Sequence, residues 1–192
     1  MIPTLATERL ILRPHRPEDF EPFAAMMADP GVARFLTLDS KPQPRGEAWR
    51  ALAAVIGCWT LRGFGMWALE EKATGRYVGR AGPWQPEGWP GFEIGWGTVP
   101  EVQGRGYATE AAVAAVAWSH AHLGVDRILH IIHPENLASQ AVARKLGAAV
   151  DGQWDAPWKV TCDLWATDRA AFAASPAQAR HIGGSTSGRS GG

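Results

Sequence analysis

A glycine-bearing turn at Gln103–Thr109 is the part of the chain whose residue types and spacing indicate chemistry most directly. It follows a strand-like run, 92–99, and opens an alanine-rich helical segment, 110–122. Glycine lets a backbone turn at positive φ and approach a ligand closely, and the first N–H groups of a helix attract an anion. The sequence therefore predicts that backbone N–H groups of this turn bind a phosphate-bearing ligand, with Arg105 adding positive charge.

Two common nucleotide-binding patterns do not fit this turn. The chain contains no P-loop string of the form G-x-x-x-x-G-K-S/T. The dinucleotide pattern G-x-G-x-x-G/A could begin at Gly104 and Gly106, but Thr109 stands at its third position. The turn does match Q/R-x-x-G-x-G/A, with Gln103, Gly106 and Ala108 at the fixed positions.

That pattern resembles the pyrophosphate-binding loop of the GNAT superfamily of acyl-CoA N-acyltransferases. The run 136–148, which begins Asn136-Leu137-Ala138-Ser139, resembles the N-x-x-S…K-x-G-F/A segment of its RimJ/RimL-like branch. The runs 7–14 and 16–20 resemble the first strand of that branch and the start of its first helix. These matches occur in the order and at the spacing of the family, and they span about residues 7 to 166.

The resemblance implies an acetyl-CoA-dependent N-acetyltransferase that passes the acetyl group directly to a primary amine, on a protein N-terminus or a small molecule. The alternative is a non-catalytic acyl-CoA-binding or regulatory module of the same fold. The pantetheine arm would pair with one strand end, the pyrophosphate would lie on the turn, and a helix would supply the remaining contacts. The residues implied for the donor are Thr98, Val99, Gln103, Gly104, Arg105, Gly106, Tyr107, Ala108, Thr109, Asn136 and Lys145.

Acyl transfer also needs a base for the amine and a proton donor for the leaving thiolate. Glu93, early on the strand 92–99, is the first candidate base, although a solvent-facing glutamate on an alternating strand is the plainer interpretation. Asp163 is the second candidate base. Ser139 would hydrogen-bond the sulfur and pass it a proton, or would simply be a polar residue in the first turn of a helix capped by Asn136.

The glycines of the strand 92–99 and the tryptophans near it give two further predictions. Gly95 and Gly97 suit a bulged strand whose backbone N–H would stabilise the oxyanion, or close packing against Trp96. Trp84 and Trp89 belong to a Pro- and Gly-rich segment, 83–91, and are candidates for the walls of an acceptor pocket. Core filling is the alternative function of these tryptophans.

Bulk properties exclude several classes of partner. Lys and Arg total 19 and Asp and Glu total 19, so no net charge favours nucleic acid or an acidic membrane surface. The sequence shows no membrane-spanning apolar run, no signal peptide and no histidine spacing suited to a metal, so we expect no metal. Two cysteines indicate reduced thiols in a cytoplasm. The expected partners are an amine acceptor and, as an alternative to a monomer, a second copy in a homodimer.

The elements that must position these residues follow the order βααβββαβαβ, which predicts a mixed α/β fold with helices on both faces of a central sheet. Asp29-Pro30-Gly31 is expected to end the first helix. The resemblance implies a mostly antiparallel GNAT-like sheet that splays between its fourth and fifth strands, 92–99 and 127–133, with CoA in the gap. We expect one acyltransferase domain over 1–175 and a Gly/Ser-rich, disordered tail over 176–192.

Overall fold

The computed structural model describes residues 1–37, 39–156 and 160–179. Over these residues eight strands form one sheet. The strands are β1 Leu5–Ala6, β2 Leu10–Arg13, β3 Trp67–Glu71, β4 Tyr77–Trp84, β5 Glu93–Thr98, β6 Ile128–Ile132, β7 Ala149–Asp155 and β8 Thr161–Thr167. Their order across the sheet is β1-β2-β3-β4-β5-β6-β8-β7, and every neighbouring pair except β5–β6 is antiparallel. The predicted mixed α/β fold with a mostly antiparallel sheet is therefore confirmed.

Helices cover both faces of this sheet. They are α1 Phe20–Ala28, α2 Pro30–Leu36, α3 Arg45–Arg62, α4 Tyr107–His122, α5 Leu137–Lys145 and α6 Arg169–Ala173. On one face, α4 packs against buried side chains such as Leu10, Trp67 and Ile94. On the other face, α1 and α3 enclose a second cluster that includes Phe23 and Leu52. The sheet therefore lies between two hydrophobic layers.

Three elements, α2, β7 and the short α6, are absent from the sequence-based prediction. Asp29 ends α1 but also caps α2, because its side chain accepts a hydrogen bond from the N–H of Val32 and Pro30 takes the first helical position. The sequence pattern predicted the end of α1 but not the start of α2. The strand β7 is exposed along almost its whole length and contains Gly152, so it lacks the apolar alternation that marks a strand.

The parallel pair β5–β6 lies where the sheet was expected to splay. Glu93 opposite Leu129 is the single register position recorded for this pair. Further along, a side chain replaces the backbone ladder: His130 Nδ1 lies 2.9 Å from the carbonyl oxygen of Ile94. A carbonyl can only accept, so this nitrogen donates, and the tautomer of the imidazole is fixed. The divergence opens the space in which the candidate site lies.

The backbone irregularity lies on β4 rather than on β5. The pairing of β4 with β5 is continuous from Glu93 to Thr98, so the bulge expected at Gly95 or Gly97 is not found in that pairing. Instead, the β3–β4 register shifts beside Gly79, which has a φ of 149°. A Cβ there would lie 2.2 Å from the carbonyl oxygen of Gly97, so only glycine fits this close approach between strands.

The end of the chain lies partly outside the described residues. Residues 176–179 are helical, and Ala177 is 9% exposed and packs with the α4 core. The remainder of the segment predicted as a tail, 180–192, lies outside the described residues. Within the part of the chain that is described, no helix has the length and apolar character needed to cross a bilayer.

Candidate active site

Two adjoining cavities lie beside the divergence of β5 and β6. The first, which we call the aromatic pocket, has a volume of about 440 Å³ and is lined by residues that include Trp84, Trp89, Glu93 and Trp154. The second, the loop cleft, has a volume of about 380 Å³ and follows the Gln103–Thr109 turn. The residues common to both linings are Phe35, Leu36, Trp96, Asn136 and Ser139. The two cavities therefore meet at the start of α5.

Backbone N–H groups form the floor of the loop cleft. Gly104 and Gly106 have φ of 76° and 83°, and Gly106 is the N-cap of α4 without any side-chain cap bond. The first helical hydrogen bond runs from the N–H of Glu110 to the carbonyl of Gly106 at 3.0 Å. The N–H groups of residues 107–109, which all line the cleft, precede that bond and have no carbonyl one turn back. Such a helix start attracts an anion, as the sequence predicts.

Side chains behind the loop fix its shape. Arg9 Nη1 donates to the carbonyl of Arg105 at 2.8 Å, and Arg9 Nε donates to Glu110 Oε2 at 2.7 Å. The same guanidinium lies 4.5 Å from the centre of the Tyr107 ring. Tyr107 Oη in turn donates to Glu71 Oε1 at 2.6 Å. The turn is thus held from the bend before β2, from β3 and from α4. Arg9 had no assigned role in the sequence interpretation.

Most of the donor-site residues predicted from the sequence come together in the loop cleft. The ones that line it are Thr98, Gln103, Gly104, Gly106, Tyr107, Ala108, Thr109, Asn136 and Lys145. Val99 and Arg105 are not among the lining residues. The N–H of Val99 donates to the carbonyl of Val78 at 3.0 Å, so it is already used within the sheet. The side chain of Arg105 is exposed to solvent outside the cleft.

Glu93 is buried in the wall of the aromatic pocket, with 8% of its surface exposed. Trp89 Nε1 donates to Glu93 Oε2 at 2.7 Å, and the N–H of Ile131 donates to Oε1 at 3.4 Å. Burial raises the pKa of this carboxyl to about 7, against the opposing effects of those two donors and of the charge on Arg80. A carboxyl with that pKa exchanges a proton readily at neutral pH. The interpretation of Glu93 as a solvent-facing side chain is wrong.

The two predicted pocket tryptophans have different positions. Trp84 ends β4, directly opposite Glu93 in the strand pairing, and is not a loop residue as expected. Trp89 does lie in the connection between β4 and β5, and its ring packs edge-on against Trp154 of β7 at a centroid distance of 5.1 Å. Both line the aromatic pocket. Trp89 also orients the carboxyl of Glu93, a role that its sequence position does not reveal.

Ser139 and Asn136 stand where the two cavities meet. Asn136 Oδ1 accepts a hydrogen bond from the N–H of Ser139 at 3.1 Å, which confirms the predicted cap of α5. Ser139 is half-buried, and both residues line both cavities. The capping role and a role at the site are therefore compatible. The other candidate base, Asp163, is not among the pocket-lining residues and accepts a hydrogen bond from Gln153 Nε2 at 3.1 Å.

His130 is a pocket residue that the sequence interpretation missed. Its Nδ1 donates to Ile94, its ring centroid is 5.1 Å from that of Trp96, and burial lowers its pKa to about 4. The imidazole is therefore neutral and braces the diverging strands instead of carrying charge. His130 differs from other strand histidines only because it lies where β5 and β6 diverge, and the sequence does not show that position. Among the described residues, no cluster of three or more His, Cys, Asp or Glu side chains could hold a metal ion.

Comparisons with known proteins agree with this geometry. The profile of the acetyltransferase (GNAT) domain family matches residues 9–149. The uncharacterised N-acetyltransferase YoaA of Bacillus subtilis is 26% identical over 79% of this chain and 86% of its own length. Among solved structures, an acetyltransferase from Agrobacterium tumefaciens superposes with a TM-score of 0.80 at 29% identity, over 88% of this chain and 96% of that one.

A more distant structure shares the fold. RimJ of Mycobacterium smegmatis, solved in complex with CoA-disulfide, superposes with a TM-score of 0.72 at 19% identity, over 91% of this chain and 89% of that one. At that identity the likeness concerns architecture alone. The profile, by contrast, covers well over half of the sequence and includes β2 to α5, with the turn and all of both cavity linings except the pocket residues of β7, of β8 and of the connection between them. The chain is therefore a member of the GNAT acetyltransferase family, and it is an N-acetyltransferase.

Proposed function

We propose that this chain transfers an acetyl group from acetyl-CoA directly to a primary amine, with the thioester held in the loop cleft and the amine in the aromatic pocket. One observation carries the proposal: the anion-binding cleft and the pocket that contains Glu93 meet at Ser139. A group delivered along the cleft would reach an amine held in the pocket. The RimJ/RimL-like branch remains our assignment within the family, on the Asn136-to-Ala148 segment.

The loop cleft suits the diphosphate of CoA. Backbone N–H groups at the start of α4 offer several donors to one anion, and the helix dipole adds favourable charge. Gly104 has no atom within 4 Å of the position that a Cβ would take, so the backbone is open to a ligand there. Lys145, exposed at the cleft margin, would meet the 3′-phosphate, and Thr98 would pair with the pantetheine arm. The bound thioester would supply the acyl group.

Glu93 would remove the proton of the attacking amine. An α-amine has a pKa of about 7.7–8.0, so a base with a pKa of about 7 is closely matched to it. A lysine ε-amine, with a pKa of about 10.4, would be a much poorer match. Glu93 lines the pocket together with Ser139, and Trp89 holds its carboxyl in place. This match favours α-amines and other weakly basic amines as acceptors.

Ser139 would assist the leaving thiolate, whose pKa is about 8.5. Its hydroxyl lies at the junction of the cavities, in the first turn of α5, whose dipole stabilises negative charge. In the balanced reaction, a C–N bond forms at the thioester carbonyl and the C–S bond breaks. Glu93 takes the amine proton and returns it to solvent, while the sulfur receives a proton through Ser139 from water.

Neither cysteine is suited to form an acyl-enzyme. Cys58 and Cys162 are both buried, and burial raises the pKa of each thiol, so the nucleophilic thiolate is disfavoured. Cys162 lines the aromatic pocket, whereas Cys58 does not. Direct transfer from the thioester to the amine needs no covalent intermediate, and it agrees with the protonation state of both thiols.

Calorimetry with CoA, followed by a thiol-release assay on a panel of amines, tests the proposal. We expect CoA binding at sub-millimolar concentration and turnover with at least one amine, and we expect Ser139→Ala and Glu93→Gln to lower turnover while CoA still binds. Binding without turnover of any amine would instead indicate the non-catalytic module. Turnover that both substitutions leave intact would refute the roles of Ser139 and Glu93.

A further inference from the structure

Arg80 is a charged residue of the aromatic pocket that the proposed chemistry does not use. It lies on β4, is half-buried and lines the pocket. Its Nη1 lies 3.5 Å from the sulfur of Met66, and its guanidinium is 5.7 Å from the centre of the Phe23 ring. A thioether is a weak acceptor, so five N–H donors face surroundings that satisfy few of them.

Within the described residues, no carboxylate lies within the 4.0 Å of an ion pair with Arg80. The residues outside that range, 38, 157–159 and 180–192, contain no aspartate or glutamate. Burial lowers the pKa of Arg80, but a guanidinium stays protonated in proteins. Arg80 therefore brings to the pocket a positive charge that only the more distant carboxyl of Glu93 offsets. A buried charge without a close partner is costly unless a ligand pairs with it.

Other charged groups at the pocket already have partners. Arg34 forms an ion pair with Glu135 at 2.7 Å, and Glu87 forms one with Arg62 at 3.2 Å. Glu93 is bonded to Trp89 and to the backbone of Ile131. Arg80 thus differs from its neighbours in having donors left for a ligand.

The strand register places Arg80 and Glu93 on one face of the sheet. Arg80 pairs with Gly97, and Gly97 is four residues from Glu93 on β5, so the side-chain directions coincide. Between them on this face stands Gly95, and a Cβ there would lie 2.8 Å from Cε of Met66, so the Met66 side chain covers this glycine. The floor of the pocket therefore has a cation at one end, a carboxyl at the other and the flexible Met66 thioether between them.

We propose that the acceptor is a small amine that also carries a carboxylate, an amino acid with an apolar side chain, and that Arg80 binds this carboxylate. The inference rests on the proposed function and narrows its acceptor. A guanidinium matches a carboxylate through two parallel hydrogen bonds. The amine would then lie between Arg80 and Glu93, beside the flexible Met66 side chain, and Trp84 and Trp154 would contact the apolar part. A phosphate, with a charge of about −1.5 to −2, would be repelled more strongly by ionised Glu93 than a carboxylate would.

Matched acceptors give a direct test. Thiol release is measured with L-phenylalanine and L-phenylalaninamide, and with the corresponding tryptophan pair, and the two values of kcat/KM are compared. We expect the free acid to be favoured by about 10- to 100-fold, the range for a charged hydrogen-bonded pair. The amide has the less basic amine, so amine protonation alone would favour the amide. Comparing kcat/KM for ethanolamine phosphate with kcat/KM for β-alanine shows whether the site prefers a phosphate or a carboxylate.

Two substitutions assign the preference to Arg80. In Arg80→Met the acid-to-amide ratio should fall to about 1, whereas Arg80→Lys should keep part of it because the charge remains. Arg34→Met, which removes an arginine already paired with Glu135, should keep the full ratio. Circular dichroism on heating shows whether each variant is folded. If Arg80→Met does not fold, the reduced acid-to-amide ratio of Arg80→Lys still tests whether Arg80 causes the preference.

A binding measurement separates this inference from the proposed function. CoA-saturated protein is titrated by calorimetry with N-acetyl-phenylalanine and with its amide, which requires no turnover. Tighter binding of the acid, lost in Arg80→Met and reduced in Arg80→Lys, supports the carboxylate site even if no amine is acetylated. Equal binding, equal turnover or a preference for the amide or the phosphate overturns it, even if the chain proves to be an active acetyltransferase.

Discussion

The loop cleft and the aromatic pocket are built in opposite ways. The recognition groups of the cleft are consecutive in sequence, because they are the backbone N–H groups at the start of α4. The polar groups of the pocket are side chains on separate elements, such as Arg80 on β4, Glu93 on β5 and His130 on β6, which the strand pairing brings together. A site built from backbone N–H groups depends little on side-chain identity, whereas a site built from side chains can change its ligand by substitution.

Two glutamates, one behind the loop and one in the pocket, show the same contrast in electrostatics. Burial raises the pKa of both carboxyls, but Glu110 accepts hydrogen bonds from Thr7 Oγ1 at 2.5 Å and from Arg9 N and Nε at 2.7 Å each. These bonds and the charge of Arg9 lower its pKa overall. Glu93 accepts one short and one long hydrogen bond, so the effect of burial dominates and its pKa is raised. One carboxyl is fixed as an anion and the other is free to exchange a proton.

The largest expected effect is on catalysis, through Glu93→Gln. Loss of a general base should lower kcat by about 10²- to 10⁴-fold with CoA affinity retained, because the carboxyl lies in the pocket and not in the cleft. In the wild type, the logarithm of kcat at saturating amine should rise with pH and level off above an apparent pKa of about 7. Stopped reactions over pH 5.5–9 measure the loss of kcat in the variant and the pH profile of the wild type. A plateau already complete at pH 5.5 would mean that Glu93 is not the base.

The same two glutamates should affect stability with opposite dependence on pH. Folding raises the pKa of Glu93 from 4.5 to about 7. The free energy of unfolding therefore falls by about 3 kcal/mol as pH rises through that window. Glu93→Gln removes this loss and should stabilise the protein more at pH 9 than at pH 4.5.

Glu110→Gln is the matched control for that measurement. The pKa of Glu110 is lowered on folding, so its contribution is present above the ordinary carboxyl pKa and is lost as pH falls. This substitution should therefore destabilise the protein more at pH 9 than at low pH. Urea unfolding of both variants at pH 9 and pH 4.5, and of Glu110→Gln also below pH 4.5 where its contribution is lost, provides the comparison. The same sign of pH dependence in the two variants would contradict the prediction.

A substitution in the turn should affect the cleft alone. Gly106 has a φ of 83°, a conformation that costs other residues about 1–2 kcal/mol, and a Cβ would lie 3.4 Å from Arg9 Nη2. Gly106→Ala should therefore weaken CoA binding by about tenfold in calorimetry. Gly57→Ala, in the middle of α3 with no atom within 4 Å of the new Cβ, should leave CoA affinity unchanged. Equal affinity of both variants would show that the cleft tolerates a shifted loop.

The smallest effect is expected from removing the hydrogen bond that Trp89 donates to Glu93. Trp89→Phe removes the N–H that stabilises the ionised carboxyl, so the midpoint of the pH–rate profile should move upward by about half a unit to one unit. Trp84→Phe changes the same pocket without touching that bond and should leave the midpoint in place. A downward shift in Trp89→Phe would indicate that lost burial, not the lost donor, dominates.

Several features of the fold and site were predictable because they depend on neighbouring residues. The turn at Gly104 and Gly106 and the Asn136 cap are local conformations, and the structure contains both. The separate helix after Asp29 escaped detection because the same residues that end one helix begin another. The exposed strand β7 escaped because its partner β8, rather than its own pattern of burial, determines its pairing.

The sequence by itself determined the family, the position of the anion-binding turn and the order of the main elements, since backbone conformation follows from local residue types. Only the tertiary structure decided that Glu93 is buried against Trp89, that His130 is neutral and that Val99 uses its N–H within the sheet. It also decided that Arg80 stands in the pocket with no carboxylate at ion-pair distance among the described residues. Burial, hydrogen-bond partners and charge pairing arise between residues far apart in the chain, and these set the pKa values and the free donors on which the chemistry depends.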